Sequence, residues 1–146
     1  MSTVHATSTG VGAGDHLLAR CVRARRVTPR SDLRSGVHAD IQLVAGAGPY
    51  ELDVLVRVLE PGRYELVGQV TTTERAYEPV RRLPLVLYDA DAMRVMARTE
   101  TDAFGEFTIR ELDTADCVLA LGDRREAPCV LIWEGGRRGA KREAAV

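Results

Sequence analysis

The chain has 146 residues, enough for one domain of ordinary size, and 45% of them are apolar, enough for a buried core. Its net charge of −1 is unevenly spread: residues 1–39 carry six arginines and two acids, residues 40–123 carry eight arginines and 16 acids, and residues 124–146 carry six bases and three acids. An acidic body with basic ends excludes a typical nucleic-acid-binding domain, which gathers positive charge on its folded face.

The first 36 residues predict a mobile N-terminal segment with one short helix. Residues 1–14 are mostly Ser, Thr, Gly and Ala, a composition typical of disorder. Asp15 can cap a helix over His16–Arg26, because apolar residues recur on one side of that stretch. The start lacks the basic and apolar regions of a secretory signal, and no apolar run approaches the ~18 residues of a membrane span. We therefore expect a cytoplasmic protein without membrane contact.

The three cysteines fit a reducing compartment. Cys21, Cys117 and Cys129 are odd in number and show no CxxC spacing. We expect buried thiols. A bridge between Cys117 and Cys129 is the alternative if their strands pair, although a reducing compartment argues against it.

Strands separated by turns begin at Val37. The predicted strands are Val37–Val44, Tyr50–Leu59, Tyr64–Thr72, Leu85–Tyr88, Met93–Thr101, Glu106–Leu112, Cys117–Leu121 and Cys129–Trp133. Their regular spacing and the Gly and Pro residues between them indicate an all-β fold, an antiparallel Greek-key β-sandwich of about eight strands over residues 37–133. Residues 134–146 have no periodicity and predict a disordered basic tail.

One turn within this pattern is especially well specified. Asp102 can accept hydrogen bonds from backbone amides of the turn, and Gly105 can supply a positive φ. Phe107 then follows on an alternating strand, which predicts that its side chain is buried.

Four segments in this order carry a family resemblance: Leu66–Val70, Leu83–Tyr88, Thr99–Ile109 and Cys117–Leu121. Together they resemble the carboxypeptidase-regulatory-like, or prealbumin-like, β-sandwich domains, related in shape to transthyretin and to the B-type repeats of collagen-binding adhesins. The resemblance covers Leu66–Trp133. It implies a β-sandwich that serves as a rigid spacer or a docking module.

The hairpin over residues 37–59 looks like that of stand-alone bacterial members associated with sigma-factor and anti-sigma-factor gene neighbourhoods. This resemblance implies an accessory part of a signalling or transcription-control system. Two activities of related proteins do not fit. The isopeptide chemistry of the adhesin repeats needs Lys and Asn in the sandwich, but the chain has no Asn and its one lysine is Lys141. The transthyretin-like hydrolases use His in the sandwich channel, whereas all three histidines here precede residue 40.

No spacing in the chain names a reaction. The histidines His5, His16 and His38 are too far apart for a preorganised zinc site. Phosphate-binding, dinucleotide-binding and hydrolase motifs are absent from the sequence. We therefore expect no enzyme activity, no cofactor and no metal.

A set of turn carboxylates leaves one alternative open. Asp89, Asp91 and Asp102 could bind Ca²⁺ if their turns lie at one end of the sandwich. Otherwise each carboxylate accepts hydrogen bonds from its own turn.

The polar loop over residues 73–83 contains the candidate binding residues. Tyr77 is the aromatic residue best placed to be exposed, and Arg81 and Arg82 can pair with carboxylates. The sequence therefore predicts a non-catalytic module that binds another protein. The alternative is a carbohydrate-binding module, which a second flat aromatic ring beside Tyr77 would favour.

Overall fold

The computed structural model describes residues 20–27 and 40–133, and this part of the chain is mostly β-strand, in two sheets. The strands are β1 (Val22–Arg23), β2 (Arg25–Val27), β3 (Ile41–Ala47), β4 (Tyr50–Glu60), β5 (Arg63–Thr72), β6 (Glu78–Pro79), β7 (Pro84–Asp89), β8 (Val95–Glu100), β9 (Glu106–Leu112), β10 (Cys117–Leu121) and β11 (Cys129–Trp133). Each of the eight predicted segments overlaps one of these strands, although residues 37–39 of the first segment lie outside the described residues. The three further strands are two or three residues long. No described residue belongs to a helix long and apolar enough to cross a membrane.

Sheet A has the strand order β1-β11-β10-β7-β8. Its pairs are antiparallel except for β1 and β11, which run parallel. The first described strand of the chain therefore lies beside the last one.

Sheet B has the order β2-β3-β4-β5-β6, and β9 also pairs with β5. β3, β4 and β5 follow one another along the chain and pair antiparallel. The turn between β4 and β5 is Glu60–Arg63, where Gly62 adopts a φ of +83°, as Gly at the third position of a type II turn requires. β6 and β9 share one flank of β5, which brings the loop around β6 next to the start of β9.

The main core lies between the two sheets. Its largest fully buried side chains come from both sheets: Leu52, Val54, Val56, Leu66 and Val70 from sheet B, and Leu85, Leu87, Leu119, Leu121 and Val130 from sheet A. Phe107 on β9 is 5% exposed, which confirms its predicted burial. Its ring lies over Gly68 so closely that a Cβ on that glycine would come within 2.5 Å of Phe107 Cζ.

The outer face of sheet A is buried as well. A second cluster consists of Ala90, Val118, Cys129 and Leu131, with Cys21, Tyr88 and Met93 packed against it. Consequently every residue of β10 is buried.

The predicted helix over His16–Arg26 is wrong for its described strand residues. Val22–Arg23 pairs with β11 of sheet A, and Arg25–Val27 pairs antiparallel with β3 of sheet B. Between them, Ala24 packs against the main core and donates a backbone hydrogen bond to the Leu131 carbonyl at 3.0 Å. Residues 1–19 and 134–146, with the expected disorder of both ends, lie outside the described residues.

Two alternatives that the sequence left open are excluded by the structure. β10 and β11 do pair, but Cys117 lies opposite Trp133 and Cys129 lies opposite Ala120, so a bridge between the two cysteines is excluded. The turns of Asp89 and Asp102 lie at opposite ends of β8, because that strand connects them. A joint calcium site is therefore excluded too.

Candidate functional site

Four connections meet at one end of the two sheets, which we call the loop end. They are residues 48–49, 73–83, 101–105 and 122–128. The Thr73 amide donates to the Pro49 carbonyl at 3.1 Å, and a Cβ on Gly48 would lie 2.9 Å from Pro128 Cγ. Gly105 lies against β6 and the residue that follows it, since its Cβ would lie 3.1 Å from the Val80 nitrogen. The long polar loop thus sits in the middle of a surface built from both sheets.

Thr101 holds the 73–83 loop in place from the end of β8. Its hydroxyl donates to the Val80 carbonyl at 2.7 Å and accepts from the Leu83 amide at 2.8 Å. Two backbone hydrogen bonds add to this: the Arg82 amide donates to the Thr101 carbonyl at 3.1 Å, and the Thr101 amide to the Leu83 carbonyl at 3.0 Å. Thr101 is only 1% exposed, so these bonds are shielded from water. The loop is therefore an ordered part of the fold.

The loop also contains three non-glycine residues with positive φ. Ala76, Tyr77 and Arg82 have φ values of 52°, 62° and 54°. Such conformations cost on the order of 1–3 kcal/mol each and persist where the surrounding structure fixes them. Here the hydrogen bonds of Thr101 and the pairing of β6 with β5 fix them. The strain sets the directions in which Tyr77 and Arg82 leave the backbone.

Two aromatic side chains are exposed at the loop end. Tyr77 and Phe104 are each 66% exposed, far more than the partly buried Tyr50, Tyr64 and Tyr88. Phe104 lies in the turn that Asp102 organises: the Asp102 Oδ1 accepts from the Phe104 amide at 2.8 Å and from the Glu106 amide at 2.9 Å. Both aromatic residues therefore stand on ordered backbone.

Two ion pairs involve arginines of the 73–83 loop. Arg82 Nε lies 3.5 Å from Glu100 Oε1, and Arg75 Nη1 lies 4.0 Å from Glu78 Oε1. Arg81 is exposed and makes no ion pair with the part of the chain that the structure describes. These pairs are in solvent and are held weakly, so an incoming carboxylate can replace them.

A shallow cleft of about 360 Å³ lies beside the loop. Its lining is mixed and includes Tyr50, Leu83 and Pro84 together with the charged Arg124 and Glu126. Leu83 directly follows Arg82, so the cleft and the arginines belong to one surface. A cleft with apolar and charged lining residues can accept a single side chain of a partner.

The Asp89 carboxylate accepts hydrogen bonds from the backbone of its own turn. Asp89 Oδ1 accepts from the Asp91 amide at 2.8 Å and from the Ala92 amide at 3.3 Å. Within residues 20–27 and 40–133, no group of three or more His, Cys, Asp or Glu side chains could hold a metal ion. The Asp89 carboxylate therefore stabilises its turn.

The outer face of sheet B is open to solvent and continues from the loop end. It contains a depression of about 430 Å³ lined by polar side chains around the partly buried Leu55 and Val67. The Gln69 side chain at its edge donates to the Phe104 carbonyl at 3.0 Å. On the same face, Glu65 is 7% exposed and accepts hydrogen bonds from Arg57 at 3.2 Å and from Arg110 at 3.0 Å. The two guanidinium groups neutralise its carboxylate.

The sequence identified Tyr77, Arg81 and Arg82 as exposed loop residues, and the structure places all three at the loop end. The sequence analysis did not identify Phe104 or Thr101 as residues of this site. The signal for Phe104 was its place between Asp102 and Gly105, where a turn leaves no room for an inward side chain. Thr101 gave no comparable signal, because a threonine at a strand end is common and its partners are distant in sequence.

Comparison with known proteins found no matching family model, no matching curated protein and no matching solved structure. The functional argument therefore rests on the residues described above.

Proposed function

We propose that the protein is a non-catalytic module that binds another protein through the loop end. The observation that carries the proposal is the ordered 73–83 loop, which presents Tyr77, Arg81 and Arg82 at fixed positions. Tyrosine and arginine are enriched among the residues that dominate binding energy. A loop that is ordered before binding loses little conformational entropy on association, which favours affinity.

The partner that fits is one with an exposed carboxylate and an apolar side chain next to it. The carboxylate would pair with Arg81 or Arg82, and the apolar group would enter the cleft beside Tyr50 and Leu83. Both requirements concern one small surface, so a peptide-like segment of the partner satisfies them.

The finer description of the fold belongs to the same proposal. We infer a Greek-key β-sandwich of the prealbumin-like type in the cytoplasm, accessory to a bacterial signalling or sigma-factor regulatory system. Its support is the sequence resemblance over Leu66–Trp133 and the two sheets with a common core. Co-purification with a sigma factor or an anti-sigma factor from the source cell would support this role.

Comparative capture from a lysate of the source cell tests the loop end. The tagged wild-type chain is compared with Arg81→Ala/Arg82→Ala and with Tyr77→Ala. We expect a partner that the wild type retains and that both variants lose, with its direct affinity for the purified double variant at least roughly tenfold weaker. Melting temperatures should stay nearly unchanged, since exposed charges contribute little to stability.

Matched controls lie elsewhere on the surface. Arg94→Ala/Arg98→Ala removes two exposed arginines, one in the turn at the far end of β8 and one within that strand, and Leu59→Ala removes an exposed apolar side chain far from the loop. These controls should retain the partner. Equal capture by the loop variants and the controls would contradict the proposal, as would a large drop in the melting temperature of Arg81→Ala/Arg82→Ala.

Carbohydrate binding is the second candidate, and one observation favours it. Tyr77 and Phe104 are two exposed aromatic rings on neighbouring segments of the loop end. Aromatic faces of this kind can stack on sugar rings. Binding on a glycan array that Tyr77→Ala and Phe104→Ala both abolish, without any captured protein, would replace the first proposal with this one.

A further inference from the structure

Two cysteines at opposite ends of the described chain face each other on sheet A. β1 runs parallel to β11 with Val22 opposite Val130, and Cys21 and Cys129 each precede these residues by one position. Their side chains form a hydrogen bond with each other. Both also pack in the second cluster on the outer face. The pair is therefore set by the strand register.

The register suits a disulfide. Neighbouring strands lie about 4.8 Å apart, and a disulfide needs Cα atoms about 4.4–6.8 Å apart. The register, continued by one residue, therefore places Cys21 and Cys129 within reach of a disulfide. Cys117 has no such neighbour, because it lies in the main core, where burial raises the pKa of its thiol.

A guanidinium lies beside this pair. Arg20 Nη2 is 3.7 Å from Cys129 Sγ and is also held by the Arg125 carbonyl at 3.1 Å. The pKa of Cys129 is lowered to about 7, first because the Cys21 thiol donates a hydrogen bond to its sulfur and further because of Arg20, while burial acts in the opposite direction. The same contact raises the pKa of Cys21. Cys129 is therefore the thiol of this pair that loses its proton more readily.

We propose that Cys21 and Cys129 form an oxidation-sensitive pair that a peroxide converts into a disulfide, which fixes the N-terminal strands to sheet A. This inference does not depend on the function of the loop end. Cys21 is partly exposed and belongs to a segment held at the sheet edge by the two-residue strand β1, so local opening of that edge gives a small oxidant access to Cys129.

The chemistry balances in two steps. The Cys129 thiolate attacks one peroxide oxygen, so an S–O bond forms, the O–O bond breaks, and the leaving hydroxide takes up a proton to become water. The Cys21 sulfur then attacks the resulting sulfenic acid: the S–S bond forms, the S–O bond breaks, and the thiol proton leaves with the second water. Two thiols lose two electrons in total, and one peroxide is reduced to two waters.

The structural consequence concerns the segment Cys21–Val27. Its strands β1 and β2 cover the edge of β11 in one sheet and the edge of β3 in the other. In the reduced protein the contacts of this segment with the two sheets are noncovalent, among them short backbone pairing, the packing of Ala24 and the packing of Cys21. A disulfide would make its attachment to β11 covalent, so oxidation would keep both edges covered.

The test uses the reduced full chain and hydrogen peroxide. We expect the intact protein to lose two hydrogen atoms, and a peptide map to join the Cys21 and Cys129 peptides. Because the disulfide closes a loop of about 100 residues, the oxidised form should melt roughly 10 °C higher, and dithiothreitol should reverse the shift. Cys117→Ala, the matched control, should form the same bridge.

Variants of the pair identify the order of events. Cys21→Ser should form no bridge and should instead accumulate a sulfenic acid at Cys129 that dimedone traps. Several results would overturn the proposal: no reaction of the native wild type, over-oxidation of Cys129 without a bridge, a bridge that includes Cys117, or a bridge that appears only in denaturant. The wild-type peptide map and Cys117→Ala decide the question even if Cys21→Ser fails to fold.

Discussion

The two sheets bury their residues in different ways. In sheet A, β10 reads Cys-Val-Leu-Ala-Leu and is buried at every position, because a core lies on each face of the sheet. In sheet B, β4 alternates between buried residues such as Val54 and exposed ones such as Asp53 and Arg57, because only one face is covered.

This difference shows that the pattern of apolar residues along a strand indicates how many faces of that strand are buried. Continuous apolar runs indicate burial on both faces, and strict alternation indicates burial on one. The open face of sheet B is therefore available to solvent and partners, whereas the outer face of sheet A belongs to the interior. The thiol pair of Cys21 and Cys129 lies in that second interior.

A matched pair of substitutions on the two outer faces gives the largest expected effect. Val118 on sheet A is 0% exposed, so Val118→Asp would bury an unpaired carboxylate and should cost about 4 kcal/mol or more, enough to unfold most of the protein. Val67→Asp on sheet B should cost about 1 kcal/mol or less, because its carboxylate reaches water. Urea denaturation followed by circular dichroism measures both. Similar costs at the two positions would break the comparison between the sheets.

Phe107→Ala measures how much β9 contributes to the core between the two sheets. The ring belongs to β9 of sheet B and packs over Gly68 in the main core, so its removal should cost about 3–5 kcal/mol. Chemical denaturation of the variant measures this cost. Its control is Phe104→Ala, which removes an exposed ring and should leave the free energy of unfolding within about 0.5 kcal/mol. A loss below about 1 kcal/mol for Phe107→Ala would mean that β9 contributes little to the core.

Gly105→Val tests the turn that leads from sheet A into sheet B. Gly105 has a φ of +75°, and a Cβ there would lie 2.5 Å from the Val70 carbonyl oxygen, so strain and crowding should together cost about 2–4 kcal/mol. Gly62→Ala is the control: its φ is +83°, but a Cβ meets nothing within 4 Å, so strain alone should cost about 1 kcal/mol. Thermal denaturation of both variants separates crowding from strain. Equal costs would contradict the close packing of Gly105.

Thr101→Val has the smallest expected effect. The Thr101 side chain connects the end of β8 in sheet A to the 73–83 loop. Valine keeps the shape of threonine but leaves the Leu83 amide and the Val80 carbonyl without the hydroxyl, at a cost of about 1–3 kcal/mol. Amide hydrogen exchange should become faster in residues 73–83 and stay unchanged in β4. Thr99→Val, a partly exposed threonine two positions earlier on β8, is the control. Unchanged exchange in the loop would show that other contacts hold it.

Much of the strand layout could be predicted from the sequence, and its failures have a common cause. β4, β5, β9 and β10 each alternate or are wholly apolar, and each was placed to within about a residue or two. The helix over His16–Arg26 was predicted from apolar residues that recur on one side of that stretch. The strands β1 and β2 were missed because Val22–Val27 is rich in arginine and mostly exposed, so it shows no period of two. Their strand conformation comes from pairing with β11 and β3, which are distant in sequence.

The candidate site was predictable only where it depends on local sequence. Exposure of Tyr77, Arg81 and Arg82 follows from a polar loop, which is local information. The order of that loop depends on Thr101, and the thiol pair depends on the register between β1 and β11. Contacts of this kind join residues that no local pattern relates.

The parallel pairing of β1 with β11 also bears on how the chain folds during its synthesis. The hairpins of β3, β4 and β5 join neighbouring segments and can form as soon as residue 72 has left the ribosome. Sheet A, in contrast, needs residues 129–133 before its central strand β10 has both neighbours and β1 has an edge to join. The topology therefore predicts that part of the core of a nascent chain stays exposed until residues 129–133 have been synthesised, an interval in which a chaperone would bind sheet B on its inner face.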